Sequence, residues 1–328
     1  MSPAPPRRSG KGTAGAPSPR GRTGQNPATR GSGTPATRAN RRDIPSRVGR
    51  GRADSAERTG RGSASGNRHG LGGEQVEGRR AVRELLAAGR RPVHEVWMAE
   101  DLDPSPLLDE IERLAGRRHA RLQIVSRRRL EAEARTDAPQ GVMARAGALV
   151  ETELDDLCVA RRGVEPFVVV FDGVTDPHNL GSLLRSAECA GVTGVVVPRH
   201  RAAHVTPTVT KVAAGAVEHL AMAVVPGVPN ALLRMADAGV TTVGLDASAD
   251  VSLFAFSRSA GGFDAPVALV IGAEGKGLAT LTRRRCDVLV SIPQYGTIES
   301  LNVAAAGAVA FFELSRARSG STSVPEDR

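Results

Sequence analysis

The chain has 328 residues, 40% of them hydrophobic and 3% aromatic, and a formal net charge of +9. Its longest apolar stretch, Val303 to Phe312, is 10 residues, short of the roughly 18 that a bilayer crossing needs, and the opening MSPAPPRRSGKG lacks the apolar core of a secretory signal. These features exclude a membrane span and predict a cytoplasmic protein. Cys158, Cys189 and Cys286 match neither a disulfide framework nor a CxxC zinc pattern and read as reduced thiols.

The charge is unevenly placed. Residues 1–70 hold fourteen arginines and Lys11 against Asp43, Asp54 and Glu57, net +12, whereas the other 258 residues carry 29 bases and 32 acids, net −3. With 13 Gly, 8 Pro, 8 Ser and no Phe, Trp or Tyr, this tail cannot bury enough apolar surface to offset the entropy of ordering it. It is expected to be disordered. Its scattered arginines suit loose contact with phosphates, or belong to a solvated extension with no specific role.

From Leu71, apolar residues Val76, Ala81, Val82, Leu85 and Leu86 fall at helical spacing up to Gly89. VHEVWMA (93–99) reads as a strand, Leu107 to Leu114 as a helix, RLQIVS (121–126) as a strand, and SRRRLEAEA as a helix start. The order α-β-α-β-α predicts a small α/β unit over 71–150. Residues 151–166, acidic, then basic, then stopped by Pro166, read as a linker.

FVVVFDG, from Phe167, is a continuous β-branched and aromatic run ended by a turn, as in a buried parallel strand. Helix (179–190), strand (192–198), helix (206–216), strand (219–225), helix (230–238) and strand (240–246) follow. VALVIGAEG (267–275) and DVLVSIP (287–293) are further strands, and a helix runs from about Ser300 to Arg316. Strands alternating with helices predict an α/β fold around a mostly parallel sheet covered on both faces. Residues 319–328 are expected to be disordered.

In open parallel sheets ligands bind outside the carboxyl ends of the strands. Three turns there stand out: DGVTDPHNLGSLLRSAE (172–188), LVIGAEGKGL (269–278) and SIPQYGTIESLNVAAAGAV (291–309). The glycines at 272, 275 and 277 fit neither GxGxxG nor GxxxxGK[ST], which excludes the common nucleotide fingerprints and disfavours a Rossmann-type enzyme. Asn179 and Ser300 stand where either could cap the helix that follows.

Taken together, the three turns resemble the signature motifs of the SpoU branch of the SPOUT RNA methyltransferases, the TrmH family. Motif one matches at Asn179, Gly181, Arg185 and Ala187; motif two at Ile271, Gly272, Glu274, Gly275 and Gly277; motif three at Ile292, Pro293, Ser300, Leu301, Asn302 and Val303. The resemblance spans about 167–316 and extends weakly over 75–150, which looks like the family's substrate-binding domain with a ribosomal-protein-like fold. Residues 198–219 are similar to the subgroup that methylates a guanosine of 23S ribosomal RNA. Relatives often carry a His-Gln-Gly turn where this chain has Pro139, Gln140 and Gly141.

What the resemblance implies is specific. The C-terminal domain, 167–318, would hold a trefoil knot. S-adenosylmethionine would be the methyl donor, bound by Gly272, Ile271, Ile292 and Leu301. The acceptor would be a ribose 2′-hydroxyl in RNA, with Arg185, Asn179, Glu274, Ser300 and Asn302 at the catalytic centre and no metal. An arginine stays protonated at ordinary pH, so anchoring and charge stabilisation suit Arg185 better than proton abstraction. His178, His200 and His204 lie off the motifs and read as RNA contacts or surface residues. The active form would be a homodimer, joined through the motif-one helix and the last helix, in which Arg185 of one chain serves the cofactor held by the other. The alternatives are a tRNA 2′-O-methyltransferase and a catalytically silent RNA-binding ribosome-assembly protein.

Overall fold

In a computed structural model of the chain, the described residues are 70–319 except Arg201, Ala203, 260–264 and Glu299. The basic tail up to 69 and the segment from 320 onward lie outside them.

The first unit is β1 (Gln75–Glu77), α1 (Arg79–Ala88), β2 (Val93–Ala99), α2 (Pro106–Arg117), β3 (Arg121–Val125), α3 (Arg127–Glu133) and β4 (Val142–Ala146). Its sheet runs β1-β4-β2-β3, with β2 and β3 parallel and β4 antiparallel to both its neighbours. Two strands thus flank the helices and strands read from sequence. Val76 belongs to β1 and not to the helix, because Gly78, at φ +97, turns the chain before α1 begins. As the spacing predicts, Ala81, Val82, Leu85 and Leu86 are the buried face of α1, and Gly89 ends it in the left-handed region at φ +56. On the opposite side of the sheet Trp97 packs with Val125, Leu130 and Met143, and the guanidinium groups of Arg129 and Arg145 lie over its ring at 4.8 and 5.4 Å.

Within 151–166 a short α4 (Leu154–Leu157) buries Leu154 and Leu157, with Cys158, against the second sheet. There follow β5 (Phe167–Asp172), α5 (Pro177–Cys189), β6 (Gly194–Pro198), α6 (Pro207–Val212), a 3-10 turn (Ala216–Glu218), β7 (Met222–Val225) and α7 (Val228–Asp237). The chain continues through β8 (Thr241–Leu245), α8 (Leu253–Ser259), β9 (Val267–Gly272), α9 (Thr280–Arg285), β10 (Val288–Val290) and α10 (Val303–Ser319).

All six strands of this sheet are parallel, in the order β10-β8-β9-β5-β6-β7. Alternation along β5 shows how both faces are covered. Phe167, Val169 and Phe171 join Leu183, Leu184, Phe311 and Leu314 of α5 and α10, whereas Val168 and Val170 join Leu232 and Met235 of α7. Close packing fixes the α5 layer: a Cβ on Gly181 would press on Val212 of α6, and one on Gly307 of α10 would strike Leu183. Among the described residues, no helix is long and apolar enough to cross a membrane.

The two units are joined by a buried ion pair. Arg91 and Glu218, with side chains 2% and 1% exposed, meet in bidentate fashion: Nε donates to Oε2 at 3.0 Å and Nη2 to Oε1 at 2.5 Å. Arg91 Nη1 also donates to the Gly73 carbonyl at 2.7 Å, so the guanidinium is satisfied on both sides. Beside it, a Cβ on Gly215 would run into Glu84 of α1, and a φ of +89 there requires glycine in any case.

Candidate active site

The three singled-out turns converge at the carboxyl ends of β5, β9 and β10. After β5, Gly173 (φ +87) turns the chain and Asp176 caps α5, accepting from the backbone N–H groups of His178 and Asn179 at 3.2 Å each. With Pro177 at the first helical position, this is an Asp-Pro helix start, a signal available in the sequence. The Asn179 side chain is therefore not needed as a cap. It is buried, and its Nδ2 donates to Glu274 Oε2 at 2.9 Å.

After β9, Ala273 and Gly277 exchange backbone hydrogen bonds of 3.0 and 2.9 Å and close a tight turn that carries Glu274. A Cβ on Gly272 would collide with the backbone of Gly277 and Leu278. The close approach that glycine permits there is made by the chain itself. Asp172, which sequence reasoning passed over, anchors the far end of this turn by accepting from the Ala279 N–H at 2.8 Å.

The third turn leads into α10, which starts at Val303. The cap falls on Asn302 and not on Ser300: Asn302 Oδ1 accepts from the N–H groups of Ala304 and Ala305 at 2.9 and 3.3 Å. Its Nδ2 donates to Asn179 Oδ1 at 3.0 Å and Glu274 Oε1 at 3.3 Å. Asn179, Glu274 and Asn302 thus form a closed triangle, one residue from each motif. Both carboxylate oxygens of Glu274 are engaged by amide donors.

Two cavities share Glu274. A groove enclosing about 190 Å³ is lined by Ile271, Gly272, Ile292, Gln294, Ser300 and Leu301. On its other side the turn borders a larger cavity of about 770 Å³, where Asn179 and Glu274 meet Asp172, His200 and Lys276. The groove fits the adenosine end of S-adenosylmethionine. Leu301 is an apolar side chain left 45% exposed, it faces the same space as Ile271 and Ile292, and the Gly272 turn brings bare backbone to the edge. Ser300 is exposed and makes no hydrogen bond among the described residues.

Arg185 stands apart from these residues. Six positions after Asn179 on α5, it lies about 9 Å further along the helix axis and on a different face. It lines a third cavity, of about 600 Å³, with Arg79, Arg80, Gln140 and Lys211, and this space shares no lining residue with the groove. At the unusual turn, Pro139 is buried and Gln140 (φ +57) serves α1: its Oε1 accepts from the Arg79 N–H at 3.2 Å and its carbonyl from Arg79 Nε at 3.1 Å. His178, His200 and His204 are exposed. Among the described residues, no group of three or more His, Cys, Asp or Glu is placed to hold a metal ion.

Comparison with known proteins bears on the same two segments. Residues 166–312 match the SpoU rRNA Methylase family, and residues 75–149 match the RNA 2′-O ribose methyltransferase substrate binding family. The 23S rRNA (guanosine-2′-O-)-methyltransferase RlmB of Yersinia pestis is 39% identical over 249 residues, 75% of this chain and 98% of that protein. The protein of the same name from Shewanella oneidensis is 38% identical over 247 residues, 74% of this chain and 96% of that one. Among solved structures, the SpoU methyltransferase AviRb from Streptomyces viridochromogenes in complex with AdoMet superposes with a TM-score of 0.61 at 28% identity, over 74% of this chain and 89% of that one.

Proposed function

The chain belongs to the SpoU rRNA methylase family, as an S-adenosylmethionine-dependent RNA 2′-O-ribose methyltransferase, and from that premise we propose that its target is a guanosine of 23S ribosomal RNA. The observation that carries the reading is the Asn179–Glu274–Asn302 triangle, set between an apolar groove and a wider cavity.

When bound, S-adenosylmethionine supplies an electrophilic methyl group on a sulfonium. Ile271, Ile292 and Leu301 would hold its adenine, and the Gly272 turn would lie against its ribose. The wider cavity would admit the target nucleotide, so that Glu274, at the border of both spaces, sits beside the acceptor hydroxyl. Held by two amides, the Glu274 carboxylate is fixed in place; Asn179 and Asn302 orient it. A protonated guanidinium steadies the negative charge that grows on the acceptor oxygen, and Arg185 is the residue assigned to that task.

Arg185 and the groove belong to separate cavities of one chain, which supports a homodimer with shared sites. Around the third motif and on α10, Tyr295 (94% exposed), Ile298, Val309 and Phe312 (52%) leave apolar surface uncovered, while Phe311 and Leu314 bury into the chain's own core. In the pairing the resemblance implies, through the motif-one helix and α10, a partner's Arg185 would serve each groove. Action in the cytoplasm, a trefoil-knotted path for the strand order β10-β8-β9-β5, and a division into tail, substrate-binding domain and methyltransferase domain complete the reading.

Mapping 2′-O-methyl positions on 23S ribosomal RNA and tRNA, from cells with and without the protein, tests the target. A lost mark at one 23S guanosine is expected; a lost mark on tRNA alone overturns it. For the shared site, Arg185→Ala and Leu301→Arg dimers should each be inactive and their purified heterodimer should regain one working site. A fully active monomer, or a folded heterodimer with no activity, contradicts it.

A further inference from the structure

The cavity that holds Arg185 has a composition the catalytic reading does not require. Arg80 comes from the first turn of α1, Arg185 from α5 and Lys211 from α6, so its walls belong to both units. Among the described residues none of these three side chains makes a hydrogen bond or an ion pair. Shortage of carboxylates does not explain this, since the chain beyond residue 70 carries more acids than bases. Elsewhere its arginines find them: Arg234 takes Asp155 at 2.7 Å, Arg283 takes Asp246 at 2.6 Å and Arg316 takes Glu313 at 2.8 Å.

Glu77 is the carboxylate among the cavity's lining residues, and it is turned inward. Fully buried, it accepts from Gln75 Nε2 and the Arg135 N–H at 2.7 Å each, and from the N–H and hydroxyl of Thr136 at 3.1 and 2.5 Å. Arg127, also at the cavity, is paired with Asp101, and Arg79 spends its Nε on the Gln140 carbonyl. What remains are four cations without an acidic partner among the described residues, Arg79, Arg80, Arg185 and Lys211, lining one space of about 600 Å³. Like charges so gathered repel one another unless an anion joins them.

The walls are also held in place before any ligand arrives. The buried Arg91–Glu218 pair ties the segment after α1 to the 3-10 turn after α6, and Arg90 adds bonds to the carbonyls of Glu218 and Leu220 at 3.2 and 3.3 Å. A preformed cationic slot loses little freedom on binding.

We propose that this cavity is an RNA-backbone subsite, in which Arg80 and Lys211 grip phosphates next to the nucleotide that Arg185 addresses. The proposal rests on RNA being the substrate. It places the strand between the two units and on the chain whose own Arg185 it meets. Phosphodiester groups fix register without reading sequence, so the subsite sets affinity and position and leaves the choice of base to other residues.

The full-length protein tests this with Arg80→Gln, Lys211→Gln and the double variant, against a 23S ribosomal RNA transcript, with Arg234→Gln as a control for charge loss elsewhere. In the double variant the slope of log affinity against log salt should flatten by roughly 1.4 to 1.8, as two lost phosphate contacts require. The KM for RNA should rise about tenfold or more while kcat stays within about threefold, and calorimetry with S-adenosylmethionine should be unchanged. Arg80→Lys and Lys211→Arg should restore the slope; Arg234→Gln should leave it as it is. A double variant with wild-type slope and KM overturns the subsite while the methyltransferase reading stands. Flattened slopes in a protein that transfers no methyl group to RNA would support the subsite and sink that reading instead. Inorganic phosphate competing as well as RNA at equal phosphate concentration also overturns it.

Discussion

Asn302 donates its side-chain amide to Asn179 at 3.0 Å, joining the first turns of α5 and α10 across 123 residues of chain. The same Asn302 caps α10 through its oxygen, so one side chain both starts a helix and locks it to another. Glu274 closes the figure. The three turns are therefore tied to one another, and a change in any corner should be felt at the others.

Glu274→Gln places an amide N–H2 against at least one of the two amide donors that now meet a carboxylate. Hydrogen bonds to a charged group contribute about 1.5–3 kcal/mol, so single-turnover methyl transfer should slow roughly 10- to 100-fold. Radiolabelled methyl incorporation measures it. An unaltered rate would remove Glu274 from the chemistry.

Breaking the buried pair between the units should be costly. Arg91→Met alone strands the Glu218 carboxylate, 1% exposed, in an apolar setting and should destabilise the protein by about 3–5 kcal/mol. The double change Arg91→Met with Glu218→Leu should recover most of that loss. Urea unfolding of the three proteins decides the matter.

Gly272 and Leu301 line the same groove for different reasons, and calorimetry paired with thermal melting separates them. Gly272→Ala, whose Cβ meets the backbone of Gly277 and Leu278, should lower stability and S-adenosylmethionine affinity together. Leu301→Ala, at a side chain 45% exposed, should weaken the cofactor alone, by about 1–2 kcal/mol.

The thiols should differ sharply in reactivity. Burial, helped by the nearby carboxylates Asp287, Asp172 and Asp246, pushes the Cys286 thiol up to about 12 from an ordinary 9.0, and burial also raises Cys158. Only the thiolate attacks, so at pH 8 iodoacetamide should label exposed Cys189 first. Labelling of Cys286 in the folded protein should climb with pH toward 12. Mass spectrometry of tryptic peptides reads the order.

Much of this was legible in the sequence where one chain segment carries its own reason. The β-branched run at 167–171 and the glycine stop at Gly89 are local signals, and both stand in the structure. β1 and β4 were not legible, because both are set by distant pairing: Gln75 pairs with Arg145, β4 also lies against β2, and neither QVE nor VMARA has the composition of a strand. The motif order names Asn179, Glu274 and Asn302, which meet in one hydrogen-bonded triangle, and Arg185, which the resemblance gives to a partner's cofactor and which lines a separate cavity. Helix geometry separates positions 179 and 185 by more than a turn and a half, as their six-residue spacing on α5 already implies. Arg80 and Lys211 escaped notice since an unpaired cation has no sequence signature until the acids able to pair with it are known to lie elsewhere.

The position of β9 has a consequence for how the chain acquires its shape. β5, β6 and β7 can pair as they are made, but β8 and β10 have no strand partner in that half of the sheet; β9, translated after β8, is what joins β8 to β5. Phe167 must wait for Val267, a hundred positions later, and such distant pairing is slow. Refolding followed by pulse-labelled hydrogen exchange should therefore protect β5–β7 early and β8, β9 and β10 together in a later phase. The groove, whose walls are built on β9 and the segment after β10, comes into being only at that last step.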